Sequence, residues 1–125
     1  MELEVILKDG RITTMNKFQY IEYVIHNYLP RYKIVYKDID KLGICIWSHD
    51  TIILNSRMFI YFDLKEIKQI ALHEVAHGLT KRDHDYIFGK KAIEIGVDPR
   101  NVPTRPTGIP YWKIKKVLYD KKSTT

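Results

Sequence analysis

A single cysteine, Cys45, occurs among the 125 residues of this chain, so no disulfide can form within it. Cys45 lies between Ile44 and Ile46, where we expect a small buried hydrophobe rather than a thiol nucleophile. The chain also lacks any run of roughly 18 apolar residues, the length needed to cross a membrane. Residues 1–4 lack the basic and apolar regions of a secretory signal. These absences predict a cytoplasmic protein with no membrane partner.

Composition predicts one ordinary globular domain whose charge is unevenly distributed. Hydrophobic residues make up 45% of the chain and charged residues 29%, and 125 residues suffice for a single core. We expect a monomer. Residues 1–99 hold fourteen basic and fourteen acidic residues. Residues 100–125 hold seven basic residues and one acid, so this segment carries the whole formal charge of +6.

The basic C-terminal segment has two interpretations. Residues 99–110 contain four prolines and are expected to be extended, whereas residues 111–119 interleave aromatic and basic side chains. In the first interpretation the segment binds single-stranded DNA, with cations on phosphates and aromatic rings stacked on bases. The residues assigned to that role are Arg105, Tyr111, Trp112, Lys113, Lys115 and Lys116. In the second, a strand or short helix packs Trp112, Ile114 and Leu118 on the domain and leaves its lysines in water.

The segment His73-Glu74-Val75-Ala76-His77 places a candidate metal site and a proton carrier on one helical turn. Residues four apart lie on the same face of an α-helix, so His73 and His77 can hold one ion. Glu74 is turned away from His73 by about 100° and is poorly placed as a further ligand. It can instead reach a water beside the metal, the position of the general base in zinc hydrolases. Because neutral imidazole favours zinc, we predict one Zn²⁺ ion and a hydrolase acting on peptide bonds.

The residues around this motif predict that it lies on a buried helix. Asp63 is a good N-cap, and Glu66 completes a capping box with it. The small residues Ala71, Ala76 and Gly78 would let other backbone approach the helix closely. Apolar residues follow one another at helical spacing: Ile67, Ile70, Leu72, Val75, Ala76 and Leu79.

A third metal ligand is needed, because catalytic zinc usually has three protein ligands and an open position. His84 is the preferred candidate, since residues 80–83 form a polar turn that can bring it back over the ion. Glu94 is the alternative ligand, and an aspartate, Asp83 or Asp85, is another. Both aspartates are better explained as turn residues or as acceptors for a histidine N–H.

Elements on either side of the motif predict an α+β domain. A hairpin with an Asp-Gly turn is predicted in residues 1–15. A helix is predicted over residues 16–28, capped by Asn16, and another over residues 86–95, after the metal-binding helix.

Three strands are predicted between the first helix and the motif, at residues 33–39, 43–47 and 51–54. A metal-binding helix packed under a small sheet is the zincin-like arrangement. In such a fold an edge strand can hold an extended substrate, and we expect residues 51–57 to be that edge.

Four segments carry a resemblance to a known family. They are residues 53–57 (Ile-Leu-Asn-Ser-Arg), residues 72–79 (Leu-His-Glu-Val-Ala-His-Gly-Leu), His84 followed by Phe88, and residues 95–100 (Ile-Gly-Val-Asp-Pro-Arg). Through them the chain resembles the SprT-like zinc metallopeptidases, which include Spartan-type DNA-dependent proteases, over about residues 17–100. Two departures are visible. Asp85 stands where the family often has glycine after its third histidine, and one cysteine excludes the four-cysteine zinc ribbon of many members.

The resemblance implies a zincin-like protease domain in residues 1–100, with His73, His77 and His84 as zinc ligands and Glu74 as general base. It implies a protein or peptide substrate, with DNA-bound proteins as one class. Residues 101–125 are then a basic extension. Two other hypotheses stay open: a non-catalytic zinc domain that binds DNA or a protein, and a regulatory protease that needs no DNA.

Overall fold

The computed structural model describes residues 3–7, 9–99 and 109–119, which form an α+β structure. Two small sheets and a set of helices follow one another along the chain, and a 3₁₀ turn over Trp47–His49 precedes the last strand. The strands are β1 (Leu3–Ile6), β2 (Ile12–Met15), β3 (Lys33–Lys37), β4 (Gly43–Ile46) and β5 (Thr51–Asn55). The helices are α1 (Lys17–His26), α2 (Met58–Tyr61), α3 (Leu64–Thr80), α4 (Tyr86–Glu94) and α5 (Tyr111–Tyr119).

Most of the predicted elements are present. Strands β1 and β2 form the expected antiparallel hairpin, with Gly10 at φ 89° in its turn. Asn16 caps α1 in a reciprocal pair with Gln19. Helix α2 was not predicted, and the strand predicted over residues 33–39 ends at Lys37.

The main sheet has the order β3-β5-β4, with β3 parallel and β4 antiparallel to β5. The prediction that residues 51–57 form the edge strand is therefore wrong. Strand β5 is central, because its backbone forms hydrogen bonds with a neighbouring strand on each side. The side chains of Ile52 and Leu54 on this strand are fully buried. Strand β4 is an edge instead, and no described strand pairs with its other side.

Helix α3, which carries the candidate metal-binding motif, lies at the centre of the structure. The predicted capping box is confirmed: Asp63 accepts from the backbone of Glu66, and Glu66 accepts from the backbone of Asp63. Helices α1 and α4 and strand β4 all contact α3. At Gly78 a β-carbon would lie 2.7 Å from Leu29 Cδ1, so the close approach there is made by a side chain and not by the backbone that was predicted. The result is a helix buried from Ile70 through Gly78.

Helix α5 packs on the same core through Ile114 and Val117, which are buried. The packing interpretation of this segment is right for Ile114, which is buried, and for Leu118, which packs partly buried against the core. It is wrong for Trp112, which is 62% exposed. A salt bridge of 2.9 Å joins Lys113 Nζ to Glu66 Oε1 on α3. The predicted domain boundary near residue 100 stays a prediction, because residues 100–108 lie outside the described ranges. Of the described helices, none has both the length and the hydropathy that crossing a bilayer requires.

Candidate metal centre

Three imidazole rings converge at one point beside α3. His73 and His77 project from successive turns of α3, and His84 reaches them from the turn before α4. The Nε2 atom of His84 lies 3.0 Å from His73 Nε2 and 3.1 Å from His77 Nε2. Nitrogens bound tetrahedrally to zinc at about 2.1 Å are separated by about 3.4 Å, close to this spacing. The prediction that His84 joins the two motif histidines is confirmed, and a metal site here is possible.

The orientation and protonation of these rings suit metal binding. His77 Nδ1 lies 2.7 Å from the Arg82 carbonyl, which can only accept, so Nδ1 carries the proton and Nε2 keeps its lone pair. Burial, reinforced by the neighbouring imidazoles of His77 and His84, lowers the pKa of His73 to about 3. Burial also lowers the pKa of His77. Both rings are therefore neutral at physiological pH, the form that binds a metal.

The Nδ1 atom of His73 is buried and has no hydrogen-bond partner among the described residues. Buried polar atoms in native proteins nearly always have a hydrogen-bond partner, because burying one without a partner costs desolvation free energy. The cost is consistent with a ring held in place for a ligand at its other nitrogen.

Aromatic packing fixes the histidine cluster. The Phe88 ring stacks on His77, with centroids 4.2 Å apart and an interplanar angle of 20°. Phe88 is placed by Asp85, the N-cap of α4, whose Oδ1 accepts from Phe88 N at 2.9 Å. Trp47 lies nearly parallel to His77 as well, at a centroid distance of 6.3 Å. Sequence reasoning found Phe88 through the family pattern and missed Trp47.

Of the three carboxylates considered as alternative ligands, Glu94 and Asp85 have other partners, and Asp83 lies near the histidine cluster. Glu94 is exposed and pairs with Lys91 at 3.1 Å, and it is absent from the histidine cluster. Asp85 caps α4 and forms a salt bridge with Arg82. The hydrogen bond that its carboxylate accepts from Phe88 N is the main reason why the pKa of Asp85 is lowered. Asp83 alone lines the cavity that contains the three histidines.

Glu74 is buried beside the cluster, with 6% of its surface exposed. Burial raises the pKa of Glu74 to about 8, opposed by the positive charge of Lys41. Gly43 lies against it: a β-carbon built there would be 3.0 Å from Glu74 Cγ and 3.2 Å from Oε2. Sequence reasoning did not assign Lys41 or Gly43 to the site. The only signal in the sequence for their role is that a glycine stands at the start of a predicted strand.

Two cavities meet at this site. One has a volume of about 300 Å³ and extends between α3, the segment before β4, and α5. The other, of about 220 Å³, extends along β4 to Trp47 and Asp83. Both are lined by the same central group of residues: Lys41, Gly43, His73, Glu74 and His84. The histidine cluster and its carboxylate are thus reached from two sides.

Cys45 lines the smaller cavity and is only partly buried. Desolvation, with a further contribution from the charge of Glu74, raises the pKa of the Cys45 thiol to about 12. The thiol is therefore protonated at neutral pH, which agrees with the prediction that Cys45 is not a nucleophile.

A polar anchor holds the segment that carries Lys41 and Gly43. Asn55, fully buried at the end of β5, donates from Nδ2 to the carbonyls of Ile39 at 2.8 Å and Lys41 at 3.0 Å. Its Oδ1 accepts from Arg57 N at 2.9 Å. Asn55 thereby ties residues 39–41 to the central strand and fixes the approach to Glu74.

The residues predicted to bind nucleic acid separate into two groups. Lys113 is paired with Glu66, and Arg105 lies outside the described residues. The outer surface of α5 carries an open cavity of about 340 Å³ lined by Trp112, Lys115, Lys116 and Tyr119. Tyr111 is also exposed, at 59%.

No protein-family model matches this sequence, and no curated protein matches it. The resemblance to SprT-like metallopeptidases therefore stays a prediction that rests on the motif residues.

Proposed function

We propose that this chain is a zinc-dependent metallopeptidase with a zincin-like fold, of the kind that the SprT-like resemblance implies. In this proposal His73, His77 and His84 hold one zinc ion and Glu74 is the general base. One observation carries it: three imidazoles converge beside a buried carboxylate where two cavities meet. A purely structural cluster has no need for a carboxylate buried at this cost.

Zinc bound by these ligands would supply Lewis acidity, lowering the pKa of water and polarising a peptide carbonyl. Glu74 then accepts a proton from the attacking water and delivers it to the leaving amine. The Arg82 carbonyl keeps His77 in the tautomer that leaves Nε2 free. The positive charge of Lys41 favours the ionised form of Glu74, which is the form a base requires.

Strand β4 is the proposed platform for the substrate backbone. It lies at the sheet edge, and its first residue, Gly43, touches Glu74. An extended peptide added to this edge would form main-chain hydrogen bonds while its carbonyl lies beside the histidine cluster. This assignment replaces residues 51–57, whose strand is central.

The test combines metal content with proteolysis of an unfolded protein such as casein. Wild-type protein should bind about one zinc per chain and cleave. The Glu74→Gln variant should keep zinc and lose about a hundredfold or more of its turnover. His77→Ala should lose both, whereas His49→Ala, at an exposed histidine outside the cluster, should lose neither. Turnover undiminished in Glu74→Gln contradicts the proposal.

A non-catalytic zinc domain is the second candidate, favoured by the position of Asp83 in the cavity with the three histidines. Asp83 would then close the coordination sphere as a fourth ligand. Asp83→Ala separates the two functions: it should weaken zinc binding in a closed structural site and leave it intact in the catalytic one. Zinc affinity measured by competition with a chromogenic chelator gives the answer.

Single-stranded DNA is the proposed partner of the outer surface of α5. Trp112 and Tyr119 are exposed there beside Lys115 and Lys116, the combination that stacks on bases and contacts phosphates. Adding single-stranded DNA to the cleavage assay should accelerate wild-type cleavage, and a double variant Trp112→Ala, Lys115→Ala should lose the acceleration. Equal rates with and without DNA favour the regulatory protease that needs no DNA.

A further inference from the structure

The cavity of about 300 Å³ has an apolar wall that the metal site itself does not require. We call it the α5 cavity. Its apolar lining comes from three separate parts of the chain: Leu42 before β4, Ile70 on α3, and Ile114 and Leu118 on α5. Its other side is formed by the candidate catalytic residues, so a group seated in this cavity lies directly beside the histidine cluster.

The α5 wall is held firmly in place. Val117 is fully buried and Ile114 is 7% exposed, so one face of α5 belongs to the core. At its start, Lys113 pairs with Glu66 of α3. At its end, the carbonyl of Leu118 accepts from Arg57 Nη2 at 3.5 Å. A wall fixed at both ends can discriminate between side chains by size.

We propose that the α5 cavity binds a large apolar side chain of a peptide substrate, such as leucine, methionine or phenylalanine, next to the bond to be cleaved. Leu118 is the residue that sets the size accepted. This inference rests on the proposed function, since it assigns the substrate class to the same site. It gives α5 two roles on two surfaces: an inner surface for the substrate side chain and an outer one for DNA.

Charge and size both favour an apolar occupant. The charged residues of the lining outside the catalytic group, Asp40 and Lys41, are exposed and of opposite sign, so they provide no net attraction for an ionised side chain. A charged group placed against Ile70, Ile114 and Leu118 would lose hydration without gaining a partner. Alanine or glycine would leave most of the volume unfilled.

Three variants test the proposal on zinc-loaded protein. Leu118→Trp should reduce the cavity and Leu118→Ala should enlarge it. The matched control is Ile93→Trp, which makes the same kind of change at a residue of α4 that is 47% exposed and lines neither cavity at the site. The substrates are peptides identical except for leucine, phenylalanine, alanine or aspartate at the position next to the cleaved bond, which is located by sequencing casein fragments.

Wild-type protein should prefer leucine to alanine by about tenfold or more in kcat/KM, the discrimination that an apolar pocket achieves for a few methylene groups. Leu118→Trp should remove most of this preference, and Leu118→Ala should move it towards phenylalanine. Ile93→Trp should behave as wild type. Cleavage that proceeds with the leucine-to-alanine ratio unchanged in both Leu118 variants overturns the inference and leaves the proposed function standing.

Binding gives a readout that does not depend on turnover. Fluorescence anisotropy of labelled leucine and aspartate peptides with the Glu74→Gln protein should show tighter binding of the leucine peptide, lost in a Glu74→Gln, Leu118→Trp double variant. If the wild type cleaves nothing but this preference is present, the cavity is a peptide-binding site and the protease proposal fails alone. Equal binding of both peptides overturns the inference.

Discussion

The backbone of Gly43 lies against the side chain of Glu74, so that a β-carbon at residue 43 would be 3.0 Å from Glu74 Cγ. The two residues are far apart in sequence, one opening an edge strand and the other on the central helix. Their contact leaves no room for a side chain at residue 43 unless Glu74 shifts. Glycine at residue 43 is therefore part of the candidate site, although it has no functional group.

Gly43→Ala should reduce turnover without removing the metal. The added methyl group must displace Glu74 by a few tenths of an ångström, and errors in the position of a catalytic group are costly. We expect a loss of about tenfold in kcat with unchanged zinc content. The control is Gly10→Ala, where a β-carbon meets nothing within 4 Å and only the hairpin turn at φ 89° is strained. Full activity in Gly43→Ala would show that the Glu74 side chain can shift by this distance without loss of turnover.

In the metal-free protein the contribution of Glu74 to stability should fall as the pH rises, and Glu74→Gln should remove this pH dependence. Burial raises the pKa of Glu74 from its ordinary 4.5 to about 8, so the folded state binds this proton more tightly than the unfolded state. Stability from this group is complete below about pH 4.5 and declines as the pH approaches 8. At pH 7 the contribution of Glu74 to the free energy of unfolding is lower than its value at low pH by on the order of 3 kcal/mol.

Urea unfolding with a chelator at pH 5 and pH 8 measures this effect. The free energy of unfolding of the Glu74→Gln variant minus that of wild type should increase between the two pH values, and other titrating groups cancel in the subtraction. A difference that does not vary with pH means that Glu74 is hydrated in solution.

Chelation should destabilise the zinc-loaded protein, because in the proposed site the ion would be held by residues of both α3 and the turn that carries His84. Binding at a free zinc concentration about a thousand times Kd stabilises the folded state by about 4 kcal/mol. Differential scanning fluorimetry should show a fall in Tm with EDTA and recovery with zinc. His84→Ala should abolish the zinc-dependent shift, whereas His49→Ala should keep it. A full shift in His84→Ala excludes it as a ligand.

Asn55→Ala should destabilise the fold and slow turnover together. The substitution removes the amide of the fully buried Asn55, with its part-buried hydrogen bonds to the carbonyls of Ile39 and Lys41 and its buried hydrogen bond from Arg57 N. Unsatisfied buried groups cost about 1–3 kcal/mol each, so we expect a loss of about 3 kcal/mol in urea unfolding. Ser56→Ala, at the exposed neighbouring residue, should change stability by less than about 0.5 kcal/mol. Native-like stability in Asn55→Ala would mean that water replaces the amide.

Local sequence signals predicted the elements whose geometry depends on near neighbours. The Asn16 cap of α1, the capping box of α3, the Asp-Gly hairpin and the four-residue spacing of His73 and His77 all act within a few residues of chain. The prediction that residues 51–57 form the edge strand is wrong, because an alternating or β-branched sequence indicates a strand but not which other strands pair with it. The sequence of residues 111–119 does not decide between a strand and a helix, since the burial of this segment depends on a core built from distant residues.

The sequence by itself determined which helix carries the motif, where that helix begins, and that two imidazoles share one face, because helical periodicity fixes these relations. Tertiary structure decided the rest: the return of His84 over α3, the contact of Gly43 with Glu74, and the apolar wall that α5 adds beside them. His84 lies only seven residues after His77, so a short turn could be expected to bring it back, but the distance between the rings could not. The other two contacts join segments separated by long stretches of chain. Their distances follow from how the sheet and helices pack, which no local pattern of residues encodes.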